Sequence, residues 1–135
     1  MAGVAGHSGF RGDPWGRLQR TSEYIATTSF GTEAHAERVV ARIRGIHRRV
    51  RGTDHLGRPY RADDPHLLRW VHIAEIHSFY AAYQAYSGTP LSRAEADEYV
   101  ARSNIPAAKL GATDLPTTVA ELRDLIQAYR PELMP

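Results

Sequence analysis

The stretch "RIRGIHRRVRG", Arg42 to Gly52, sets one histidine, His47, among five arginines. An arginine field this dense is what a nucleic-acid-binding helix offers to phosphates. A histidine turned away from that field does other chemistry. At about 100° per residue, Val39, Val40, Ile43, Ile46 and Val50 form one apolar helical stripe. His47 lies four residues after Ile43 and three before Val50, so it belongs to the stripe. Arg38, Arg42 and Arg49 fall on the opposite side, with Arg44, Arg48 and Arg51 flanking. Two readings of His47 follow. It is a core imidazole hydrogen-bonded to a carbonyl, or it is a neutral imidazole projecting into an apolar cavity as an axial ligand to haem iron. In the second case arginines around it pair with the haem propionates. Spacing does not separate the two.

Two further groups carry chemistry. In "WVHIAEIHSFYAAYQAY", His72, Ile76, Phe79, Tyr83 and Tyr86 share a helix face, with Leu68 before them. His72 and Glu75 are neighbours there, but His77 sits about 140° round from His72, so the three do not chelate one ion. The stretch "HIAEIH" also lacks the spacing of H-E-x-x-H and H-x-x-E-H zinc helices. His72 is expected beside aromatics in the core or a pocket, and Glu75 and His77 exposed or locally bonded. In "RLQRTSEY", Arg17, Arg20, Thr21 and Tyr24 recur on one broad face. Beside an apolar pocket, such an Arg-Thr set orients a carboxylate, a propionate or dioxygen.

Helices must position these groups. Asp13-Pro14 gives an N-cap and a first-turn proline for a helix running to Gly31. Thr32 caps a second helix, "EAHAERVVARIRGIHRRVR", closed by Gly52, and "TDHLGRPYRA" reads as a turn-rich connector. Asp64-Pro65 opens a third helix that lasts until Gly88. Ser92 with Glu95 forms a capping box for a shorter helix through about Arg102, and Thr118 with Glu121 opens the last, which Pro131 ends. No stretch alternates with the period of a strand. The expected fold is all-α: one domain over residues 1–135, of about five helices.

The 135 residues suffice for a real core. With no cysteine, thiolate metal sites, disulfides and cysteine nucleophiles are excluded. A net charge of +2, with Lys109 the single lysine, fits the codon usage of a GC-rich genome better than a polyanion-binding surface. No secretory signal and no integral membrane segment is visible, and a cytoplasmic setting is expected. There is no G-x-S-x-G elbow, P-loop or dinucleotide fingerprint.

The order "AGVAGHSGF…DPWGRLQRTSEY…HRRVRG…YRADDPHLLRWVH" resembles the bacterial and fungal family of MpaB-type oxygenases, which includes the rubber oxygenase called latex clearing protein. The most specific segments are "HS-F--DP--RL--T--Y" and "DP-LL-WVH", and the likeness runs from about Gly3 to Leu133. It implies an all-α oxidoreductase that binds haem b through a helix histidine and attacks the double bonds of isoprenoid chains with dioxygen. By position, His47 matches the iron ligand, and Arg17, Arg20 and Thr21 match side chains near the haem. His72 and His7 match recurrent positions, and His72 is taken with Arg17 among the cofactor-binding residues. Latex clearing protein has lysine where this chain has Arg20, and a guanidinium supplies no removable proton. Implied partners are an apolar small molecule, dioxygen, and a redox partner or a second copy, with no nucleic acid. Family members extend beyond both ends, so the chain is expected to be the middle of the domain. Two other readings stand beside this one: a helical interaction module of the same family without cofactor, and a basic nucleic-acid-binding bundle.

Overall fold

The computed structural model describes residues 13–54 and 56–133, and the chain divides into two compact units, residues 1–64 and 65–135. The first holds helices α1 (Pro14–Phe30) and α2 (Glu33–His47) and a hairpin of β1 (Arg51–Thr53) with β2 (Pro59–Arg61). The second holds α3 (Pro65–Tyr86), α4 (Arg93–Leu110) and α5 (Val119–Leu133). The described residues are mainly helical, with five helices as expected.

In the first unit the caps act as the sequence predicts. The Asp13 carboxylate accepts from the Gly16 amide at 2.8 Å, Pro14 sits in the first turn, and the Thr32 side chain accepts from the His35 amide. α1 and α2 pack together. The second helix is shorter than expected. It ends at His47, and Arg49 and Val50 donate back to Ile46 and His47 through a tight turn. The chain then enters an antiparallel ladder pairing Arg51 with Arg61, Gly52 with Tyr60 and Thr53 with Pro59. The connector is therefore a hairpin. Its turn is organised by Asp54, whose carboxylate accepts from the amides of Leu56 and Arg58, both at 2.9 Å, and from Arg58 Nε at 2.7 Å. Gly57, with φ +77°, supplies the left-handed residue of that turn. Strands of three residues are too short to show a period of two.

The three helices of the second unit all pack on one another. Its core is Ile73, Ile76, Ala96, Val100, Val119, Leu122 and Tyr129, flanked by Trp70, Tyr80, Leu91, Tyr99, Leu125 and Ile126. α4 runs eight residues past the expected end at Arg102. Ala96, Val100 and Ala107 continue one buried face across the polar "RSN", and burial outweighs the propensity cost of Pro106. It closes on Gly111, φ +114°, with the Ala112 amide reaching back to Ala107. Pro131 likewise lies inside the last turn of α5 instead of ending it.

Candidate functional site

His47 is the last residue of α2 and half-buried. Its Nδ1 is buried and has no hydrogen-bond partner among the described residues. Burial lowers its pKa below the ordinary histidine value, against a smaller opposing pull from the Asp63 carboxylate. That carboxylate is already held by Arg51 at 2.9 Å and Arg61 at 3.5 Å. The ring is thus kept neutral with a nitrogen unsatisfied. Around it the predicted stripe is mostly present: Val40 is buried, and Val39, Ile43 and Val50 are half-buried. Ile46 departs from it, at 43% exposure. Arg38, Arg42, Arg44, Arg48 and Arg49 are exposed, as the helical wheel requires.

The α1 set belongs to the same unit as His47. Arg17 is half-buried; Arg20 and Thr21 are exposed. Arg20 reaches the capping Asp13 at 3.3 Å, and the Thr21 hydroxyl donates to the Arg17 carbonyl at 3.0 Å. Arg20 and Thr21 thus have local partners that spacing did not reveal. His72 belongs to the second unit. Its Nε2 faces Asn104 Oδ1 at 2.9 Å, while Asn104 Nδ2 donates to the Pro116 carbonyl at 2.7 Å. The amide oxygen can only accept, so Nε2 carries the proton. Burial lowers the His72 pKa, and the bond to Asn104 acts the other way. His7 lies outside the described residues.

Glu75 and His77 are half-buried rather than exposed, and burial raises the Glu75 pKa. Among the described residues no three His, Asp or Glu side chains converge on a metal-sized site. The aromatic face of α3 borders an open groove of about 460 Å³. It is lined by Phe79, Tyr80, Tyr83, Leu91 and Tyr99 and edged by Glu95, Glu98 and Arg102, without His72. Phe79 and Tyr83 remain nearly half exposed.

One cluster has no counterpart in the sequence reading. In the second unit, Tyr129 Oη accepts from Arg69 Nε at 2.9 Å and donates to the His66 carbonyl at 2.8 Å. It also lies 3.1 Å from His66 Nδ1, and His66 Nε2 meets Glu132 at 2.8 Å. His66 and Arg69 lie sixty or more positions from Tyr129 and Glu132 in the chain, with no local spacing to join the two pairs.

The fold and site define a mainly helical protein with a neutral, half-buried histidine at a helix end, placed in one small unit with an Arg-x-x-Arg-Thr helix. The chain belongs to the family of the ER-bound oxygenase mpaB/B′ and rubber oxygenase catalytic domain, whose model matches residues 1–135. Membership makes it a chain of oxygenase type. No curated protein and no solved structure matches it. No helix among the described residues is long and apolar enough to cross a membrane.

Proposed function

We propose that the chain is a haem b-dependent oxygenase acting on an apolar, isoprenoid-like alkene, in which His47 would hold the haem iron. The observation that carries this reading is the state of the His47 ring. A ligand imidazole must be neutral and must offer a lone pair. Burial favours the neutral ring, and its Nδ1 is buried without a partner among the described residues. An unsatisfied buried nitrogen costs about 1–3 kcal/mol, a cost that bonding to a ligand group would relieve. The residues present therefore fit the group.

When bound, haem supplies the redox-active iron for dioxygen chemistry. The chain's own residues hold, orient and desolvate. His47 anchors the cofactor from the end of α2. Arg44 and Arg48, exposed and within a turn of His47, offer fixed positive charge to propionates. Arg17 and Arg20 hold fixed charge on α1, Arg20 as a cation that never gives up its proton at working pH. Thr21 can turn its hydroxyl from the Arg17 carbonyl to an oxygen-bearing reactant by one rotamer change. His72, with Nε2 committed to Asn104, serves as a positioning residue within its own unit rather than as a ligand through that nitrogen.

The test is the absorption spectrum of protein produced with ample haem precursor, air-oxidised and then reduced. A strong Soret band that disappears in His47→Ala and persists in His72→Ala is expected. His47→Ala with full haem content and an unchanged spectrum would sink the assignment. One observation favours a second reading, an interaction module without cofactor. The Arg20 and Thr21 side chains are already satisfied locally, and Trp15 and Phe30 on α1 are 79% and 90% exposed. A folded, colourless protein that takes up no haemin and self-associates supports that reading.

A further inference from the structure

The Tyr129 cluster is more elaborate than a helix clasp needs to be. Tyr129 is 4% exposed, so its phenol cannot meet a substrate from solution. An electron needs no such access. The phenol oxygen is held by Arg69 on one side, which leaves its hydrogen only the His66 side to occupy. There it rests on the His66 carbonyl, with Nδ1 of the same residue 3.1 Å away. Nδ1 faces Arg69 Nη2 at 3.4 Å, and a guanidinium can only donate, so Nδ1 is the bare nitrogen of the ring and Nε2 carries the hydrogen toward Glu132. The phenol hydrogen reaches Nδ1 by turning from the carbonyl. The buried end of the cluster is the phenol; the other end, His66 and Glu132, is 44% and 53% exposed. Trp70 lies against the phenol with ring centroids 5.2 Å apart, and its buried Nε1 has no partner among the described residues.

We infer that Tyr129, His66 and Glu132 form a one-electron relay in which Tyr129 is oxidised and its proton leaves through His66. Tyr129 gives one electron to an oxygen-derived one-electron oxidant, the class of species that forms when dioxygen is partly reduced. Its O–H bond breaks, and the proton passes to His66 Nδ1. His66 returns to neutrality by passing its Nε2 proton to Glu132. The products are a neutral phenoxyl radical, a protonated Glu132 and the oxidant reduced by one electron. A thiol-class reductant restores the tyrosine by giving one electron and becoming a thiyl radical; the proton returns from Glu132 through His66, and the thiol's own proton goes to solvent. Trp70 is the neighbouring carrier through which the electron vacancy moves. In an oxygenase such a relay draws oxidising equivalents away from the reactants when substrate is absent. It depends neither on the haem assignment nor on His47.

The test uses the full chain and photogenerated tris(bipyridyl)ruthenium(III) as the oxidant, with a cobalt(III) ammine as the terminal acceptor. The radical is followed by absorption and electron paramagnetic resonance. The wild type is expected to give a long-lived tyrosyl signal that is lost in Tyr129→Phe and retained in Tyr83→Phe. His66→Phe keeps the stacked ring but removes the proton acceptor. It is expected to slow the oxidation about tenfold, the order of one lost hydrogen bond, and to abolish its dependence on solvent deuteration. A Tyr129→Phe signal equal to wild type overturns the relay, and so does a His66→Phe variant with unchanged rate and isotope effect. If Tyr129→Phe loses its helical circular dichroism, 3,5-difluorotyrosine is placed at position 129 instead. An unaltered resonance spectrum then overturns the proposal, and fluorine splitting supports it.

Discussion

His47 and Glu75 show how burial acts in opposite directions on the two charge types. A histidine with a lowered pKa binds fewer protons folded than unfolded between that pKa and about 6.5. In that window the unfolded chain takes up protons and stability rises with pH. His47 and His72 therefore both remove stability as the pH falls through 6.5 toward their folded pKa values. The melting temperature is expected to drop over this range, and His72→Gln to flatten the drop; an equal slope in the variant contradicts the effect. Glu75 is raised, so the folded chain binds more protons and stability falls as pH climbs from about 4.5 through its folded pKa. Glu75→Gln is expected to raise the neutral-pH melting temperature by about 1–4 °C, measured by circular dichroism. For haem, the lowered His47 pKa means that protons compete with iron only at a pH below the ordinary histidine value. Titration of the Soret band should show retention through pH 6.5 and loss below it.

At the scale of elements, stability resides in caps and in a few side chains with no exposure. Leu122 on α5 is fully buried within the main cluster of the second unit. Leu122→Ala is expected to cost about 3 kcal/mol in denaturant unfolding, from lost transfer energy plus the cavity left behind. Gly111 ends α4 at a φ of +114° where an added Cβ finds only Leu68 Cδ1, 3.6 Å away. The cost of Gly111→Ala is thus backbone strain rather than collision, about 1 kcal/mol. These elements also explain where boundaries were legible. Asp13-Pro14, Thr32 and Ser92 act through neighbours three residues away, so their signals are local and hold. The ends of α2 and α4 depended on what the next residues could bury or pair with. "RRVRG" could continue a helix by propensity, but its Arg51 joined a ladder with Arg61.

At the scale of the molecule the two units differ in how much apolar surface they bury. Val40 is the single buried hydrophobic side chain in the first unit among the described residues, while the second holds both core clusters. Backbone amides of α1 and α2 are expected to exchange with deuterium faster than those at the centres of α3, α4 and α5. Cofactor bound at His47 stabilises whichever state contains its site. Haem loading should therefore slow exchange in α2 more than in α5, by mass spectrometry of the loaded and apo chain. A uniform change across all helices would contradict a site on α2.

The sequence by itself determined the five helices, the starting caps at Asp13, Thr32 and Ser92, the placement of His47 among apolar neighbours and away from the exposed arginines, and the oxygenase family. Each of these is written in spacings of three or four residues or in contiguous motifs. Only the tertiary structure decided that the His47 Nδ1 is buried without a partner among the described residues, that His72 is tied to Asn104, and that Arg20 is drawn to its own helix cap. It alone brought Tyr129 onto His66 and Arg69. Hydrogen-bond partners and burial are set by which side chains meet across elements, and periodicity gives the face of a helix without saying what that face will touch.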